Sequence, residues 1–143
     1  MQYDDNDIHS MALCVYKEAR GEGQDGMRAV AHVIKNRVGA IGFPKTLHDV
    51  IFQKNAFTSM SVSQDPEFNL IPPAGDVQFA YASAICPSVL SGGDADLTDD
   101  SHYYENAATA TSGWFGRVIA GPDGLGTEGH PLMAHIGKQS FFS

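Results

Sequence analysis

Positive charge is scarce in this chain. Nine lysines and arginines stand against seventeen aspartates and glutamates, a formal charge of −8. No basic stripe runs through it, which argues against a nucleic acid partner and against adhesion to anionic membrane. An anionic polymer is not drawn in by overall charge either, so such a substrate has to be gripped by local contacts. Cysteine is nearly absent: Cys14 and Cys86 are the two present. Without Cys-x-x-Cys spacing they make neither a zinc signature nor a disulfide framework. Both fall in apolar helical patterns and read as reduced core thiols, although the sequence leaves a single Cys14–Cys86 bridge open.

Long hydrophobic runs are missing as well. No stretch of 18 apolar residues occurs, so no membrane insertion is expected. The opening Met1-Gln2-Tyr3-Asp4-Asp5-Asn6-Asp7 lacks the basic and apolar regions of a secretory signal. His-Glu-x-x-His is absent, and His102, His130 and His135 match no common zinc spacing. The acids of 94–100 lack the glycine and distal glutamate of an EF-hand and read as a solvated turn. No metal and no cofactor is expected.

What is present suits one domain, residues 1–143, with a sizeable core. A helix is predicted over 6–19, capped by Asp5 or Asn6, with Ile8, Met11, Ala12, Val15 and Ala19 on one side. A second follows over 25–38 with Met27, Val30, Ala31, Ile34 and Val38 at helical spacing. A short helix over 46–53 precedes a long polar loop over 54–75. A third major helix is expected over 76–90, burying Val77, Ala80, Tyr81, Ala84 and Ile85, with Pro87 disturbing its last turn. Beyond it the pattern changes. Short strands are predicted at 102–104, 117–120 and 141–142, and 121–129 is too rich in glycine for regular structure. The expectation is an α+β fold: a mainly helical domain with a small β lobe and a cleft between the parts.

Glu18 is the residue with chemical promise. Helical geometry sets it on the side of Met11 and Cys14, beside Ile8 and Val15. A carboxylate in an apolar stripe loses hydration, which favours its protonated form and suits a general acid. The plainer alternative is a glutamate at a helix end with its head group in water.

The surrounding residues carry a resemblance. Glu18-Ala19-Arg20-Gly21-Glu22 leads to Gly26-Met27-x-Ala29-Val30-Ala31-x-Val33-Ile34-x-Asn36-Arg37-Val38, then Phe43-Pro44, Val50-Ile51, Gln53 and Ala56-Phe57. This ordered set, over about 12–60, resembles the cell wall hydrolase family that includes the spore-cortex-lytic enzymes. His102-Tyr103, Trp114 and Ile136-Gly137-x-x-x-Phe141 are weaker landmarks. Members often carry a histidine two positions after that Ile-Gly pair, where this chain has Gln139.

The resemblance implies a lysozyme-like fold and cleavage of peptidoglycan glycan strands between N-acetylmuramic acid and N-acetylglucosamine. It further implies that Glu18 is the general acid. Hydrolysis asks for a second carboxylate, whereas a lytic transglycosylase needs one, since the muramyl 6-hydroxyl attacks intramolecularly. Glu22 is the second acid in the motif, or else caps a helix or holds Arg20 or Arg37. Arg20, Asn36 and Arg37 read as polar struts fixing the loop after the first helix. Sugar rings bind on aromatic faces, which nominates Tyr103, Tyr104 and Trp114, with Phe57, Gln53 and Ser59 as a second wall; each aromatic has core packing as its alternative. A monomeric bacteriophage endolysin is expected, made in the host cytoplasm without a signal peptide and acting in the periplasm or cell wall after release. A fragment of a longer secreted enzyme fits the same observations. The rival classes are a non-catalytic wall-binding or virion structural module, and an amidase or peptidase.

Overall fold

Helices α1 to α4, shorter helical turns and a small antiparallel sheet are seen in a computed structural model that describes residues 1–54, 56–60 and 71–143. Helix α1, Asp5–Ala19, starts one residue earlier than its spacing suggested, because Asp4 is the cap. Its carboxylate accepts from the Asp7 backbone N–H while Asp7 returns the bond, a reciprocal capping box. Met11, Ala12, Cys14, Val15, Tyr16 and Ala19 are its buried residues. Helix α2, Gly23–Arg37, is buried nearly all round. One side, Met27, Val30, Ala31 and Ile34, joins the main core, and the other, Ala29 and Val33, packs on Phe141 of the sheet. It is therefore the partition between the helical and β parts.

The short helix α3, Leu47–Ile51, is capped by the Thr46 hydroxyl. The loop expected over 54–75 falls in large part outside the described residues. Helix α4, Val77–Ser91, runs through Pro87 and ends at Gly92, whose φ of 83° suits a glycine. Its buried face is Ala82, Cys86, Val89 and Leu90, rotated from the one expected; Val77 is 76% exposed, and Ala80 and Ala84 are exposed too. The reason lies in the sequence. This helix is apolar on every side, so periodicity does not say which stripe faces inward.

The acidic turn is less solvated than expected. Asp94 is held by Arg28 and by His32, 2.8 Å from its Nε2, while Asp96 takes the Asn36 amide at 2.9 Å and the Thr98 hydroxyl at 2.6 Å. Burial pushes both carboxyls up, but these bonds outweigh it and hold both below the usual carboxylate value. Asn36, expected to brace the loop after the first helix, instead donates to Asp96 and to the Ser101 carbonyl and so fixes the lead-in to the sheet.

The sheet has strand order β1-β4-β3-β2, all antiparallel. Its strands are β1, Tyr103–Asn106; β2, Gly126–Thr127; β3, His130–Ile136; and β4, Gln139–Phe142. Phe141 points to α2 and Phe142 to a second cluster with Ala110, Ile119 and Ala120, so the sheet is covered on both faces. Three strand expectations need correction. β3 was not foreseen, and a two-residue strand forms inside the glycine-rich stretch. Residues 117–120 are helical, within the π-type turn Gly116–Ala120 that continues the short helix Gly113–Phe115. Gly116 permits this turn by packing directly on the Thr111 carbonyl, where a side chain has no room.

Candidate active site

Glu18 occupies the penultimate position of α1, half-buried, one helical turn after the buried Cys14. The β lobe reaches it through Tyr104, whose hydroxyl donates to Glu18 Oε1 at 3.1 Å. On the other oxygen the Ser59 hydroxyl donates to Oε2 at 3.4 Å. Burial first, and the Glu18 charge second, push the Tyr104 phenol well above its usual value. Tyr104 thus keeps its hydrogen over any ordinary pH and remains a donor. The same two causes raise Cys14 well above its usual value, and burial alone pushes Cys86 up to about 12. Both cysteines are free thiols in the core.

Arg37, the last residue of α2, organises the floor beside this acid. It is 7% exposed, donates from Nε to the His102 carbonyl at 2.7 Å, and sets its guanidinium 5.2 Å from the Phe43 ring, 5.0 Å from Phe57 and 5.7 Å from Tyr103. Burial lowers its pKa below the usual guanidinium value. Stacked under aromatic faces, the cation is held by ring quadrupoles as well as by its hydrogen bond.

Above that floor lies an open groove of about 490 Å³. Gln53, Tyr103, Tyr104 and Trp114 all line it, and Trp114 is 55% exposed, an apolar plate facing solvent. Phe57 does not line it. At 3% exposure it is part of the main core, with its ring 5.0 Å from the Arg37 guanidinium. Ser59, named for the same wall, is instead a partner of Glu18. The groove also holds residues that the sequence did not nominate: Arg37 itself, Phe43, Lys54, Phe115 and Glu105. Glu105 is the acid among these described lining residues, accepting from the Asn106 N–H at 3.0 Å. Its adjacency to Tyr104 was the one signal available.

Glu22 neither caps α2 nor holds an arginine. It stands at the N-cap position with no side-chain cap bond, and among the described residues no hydrogen bond or ion pair engages its carboxylate. The side chain lies against Gly26 and turns to the β3–β4 connection, with Oε2 3.6 Å from where a Cβ on Gly137 would stand. Arg20 leans on the Tyr16 ring at 5.3 Å and donates to the Lys17 carbonyl. Gln139 pairs in register with Asn106, on the sheet face that carries Tyr104 and Phe141. Its Oε1 is buried with no hydrogen-bond partner among the described residues. Such an atom is costly to bury and marks the position as unusual.

An acid held between two hydroxyls, one of them on a tyrosine that lines an aromatic groove, is equipped to give a proton to an oxygen of a ring-bearing ligand. The Cell Wall Hydrolase family matches residues 21–120, a span that begins just after Glu18. The spore cortex-lytic enzyme of Oceanobacillus iheyensis is 41% identical over 112 residues, covering 78% of this chain and 37% of that protein. That of Bacillus subtilis is 34% identical over 139 residues, covering 97% of this chain and 38% of its own length. The chain thus spans less than two fifths of these relatives. Among solved structures, the catalytic domain of the Bacillus cereus SleB protein superposes with a TM-score of 0.72 at 35% identity, covering 99% of this chain and 93% of that one. The catalytic domain of the germination-specific lytic transglycosylase SleB from Bacillus anthracis gives 0.73 at 35% identity, covering 99% and 97%. The fold is lysozyme-like, as expected, and the chain belongs to the cell wall hydrolase family.

Proposed function

We propose that this chain is a single catalytic domain that cuts peptidoglycan glycan strands between N-acetylmuramic acid and N-acetylglucosamine, acting as a monomer and lysing bacterial cell wall. The observation that carries this reading is the half-buried Glu18, held by Ser59 and by Tyr104, which itself lines a groove with an exposed tryptophan. The reaction starts with Glu18 giving its proton to the glycosidic oxygen as the C1–O bond breaks, leaving an oxocarbenium-like centre. In the transglycosylase course, the Glu18 carboxylate then takes the proton of the muramyl 6-hydroxyl while that oxygen bonds to C1. A 1,6-anhydro end forms and Glu18 recovers its proton. Supporting this course, the hydroxyls of Ser59 and Tyr104 give Glu18 two neutral donors among the described residues, and the Bacillus anthracis relative is named a lytic transglycosylase.

Hydrolysis is the second reading, favoured by two specific observations. Glu22 has an uncommitted carboxylate within the Glu18 motif, and Glu105 brings another into the groove. Mass spectrometry of digested peptidoglycan separates the two courses. Anhydromuramyl ends are expected; reducing ends that borohydride converts to alditols indicate the muramidase. Glu18→Gln is expected to abolish either product with an unchanged circular dichroism spectrum. A variant that still clears outer-membrane-stripped cells at the wild-type rate would remove Glu18 from the mechanism. If wild type clears nothing between pH 4 and 8, a wall-binding module takes its place, and new amino termini in the digest would point to a peptidase.

A further inference from the structure

A second hollow, of about 260 Å³, adjoins the main groove. The two share Phe43 and Tyr103, whose rings stand 5.7 Å apart as a low ridge between them. The far side of that ridge is walled by His102, stacked on Phe43 at 5.9 Å, and by His130, edge-on to Tyr103 at 5.1 Å. Its outer lip is Ile41, at the tip of a turn closed by the bond from the Gly39 N–H to the Pro44 carbonyl. Ile41 is fully exposed, at 102% of its reference area, so nothing in this fold covers it. At this volume the hollow is smaller than the roughly 300–1,000 Å³ of a self-standing ligand site. It has room for one ring and opens onto a groove that holds others.

We propose that this hollow is an outlying saccharide subsite, taking an N-acetylhexosamine unit of the same glycan strand that crosses the groove beside Glu18. The inference rests on the glycan reading above and extends it to chain length. Continuity through Phe43 and Tyr103 lets one polymer occupy both spaces. The lining favours sugar over the peptide stem of peptidoglycan, because aromatic faces and an aliphatic tip suit the C–H face of a pyranose and the methyl of an acetamido group. Among the described residues no lysine or arginine lines the hollow to receive a stem carboxylate, and the chain as a whole carries −8. Longer strands therefore bind more tightly than short ones.

The test is a methyl and indole NMR titration of the wild-type protein with chitobiose, chitohexaose and a free muropeptide stem peptide, repeated for chitohexaose on Ile41→Asp. Chitohexaose is expected to shift both the Trp114 indole and the Ile41 methyl, and chitobiose the indole alone. Ile41→Asp, at a position with no packing to lose, is expected to weaken chitohexaose binding roughly tenfold and leave chitobiose unchanged. Hexaose shifts at Trp114 without any at Ile41 would overturn the subsite and leave the glycan reading standing. No shift at either residue would remove both. Shifts at Ile41 with the stem peptide alone would overturn the saccharide assignment in favour of peptide.

Discussion

Asp94→Ala tests whether the acidic turn is a structural clamp. The carboxylate receives Arg28 Nε on both oxygens at 3.2 Å, Arg28 Nη2 at 3.2 Å and His32 Nε2 at 2.8 Å. Hydrogen bonds to charged groups contribute about 1.5–3 kcal/mol each when buried. Arg28 is 25% exposed, so solvent screening puts its share at the low end. His32 is 2% exposed and loses the partner of a buried ring nitrogen. Together these give a loss of about 2–4 kcal/mol at pH 7. With a urea slope of about 2 kcal/mol per molar, the unfolding midpoint falls by roughly 1–2 M. The acid dependence supplies a second check. Asp94 has a folded pKa below its unfolded value of 3.8, so its contribution is complete above 3.8 and is lost as pH falls through the lower folded value. The gap between wild type and Asp94→Ala should therefore stay constant at neutral pH and close below about pH 4. Urea melts followed by circular dichroism at several pH values measure it. A loss under about 0.5 kcal/mol at pH 7, or a gap that persists unchanged in strong acid, would refute the clamp.

Tyr104→Phe removes a donor from Glu18 Oε1 and so destabilises the carboxylate relative to the acid; the alkaline limb of the pH–activity profile should move to higher pH, and an unmoved limb counts against the contact. Trp114→Ala, at a half-exposed position, should raise KM roughly tenfold with stability within about 0.5 kcal/mol of wild type. An unchanged KM would exclude the ring as a sugar platform. Because burial raises Cys14 well above 9.0 and Cys86 to about 12, neither thiol should react with Ellman's reagent at pH 8 until the protein is unfolded, when both should. A thiol titrating in the native protein would contradict that.

Helices α1 and α2 were legible because their apolar residues repeat at helical spacing, and a polar cap precedes α1. The inward face of α4 was not, since a helix apolar all round offers several equivalent stripes. Strand β3 was hidden because His130-Pro131-Leu132-Met133-Ala134-His135-Ile136 does not alternate cleanly, and a bulge between Leu132 and Ala134 breaks its register. Residues 117–120 were misread from Val118 and Ile119, whose β preference gave way to a turn that only Gly116 permits. In the site, Trp114, Tyr103, Tyr104 and Gln53 converge on one groove. Phe57 went to the core, where its ring lies 5.0 Å from the Arg37 guanidinium, because an apolar ring gains more from burial than from lining an open groove.

Local order alone determined that this chain carries a carboxylate in an apolar helical stripe, followed by the motif of its family. Which hydroxyls hold that carboxylate was decided by packing, since Ser59 is 41 residues away in sequence and Tyr104 is 86. Side-chain periodicity reports the neighbours within a helix, but contacts at such separations exist only once α2 has brought the sheet against α1, and no spacing rule encodes where that docking stops.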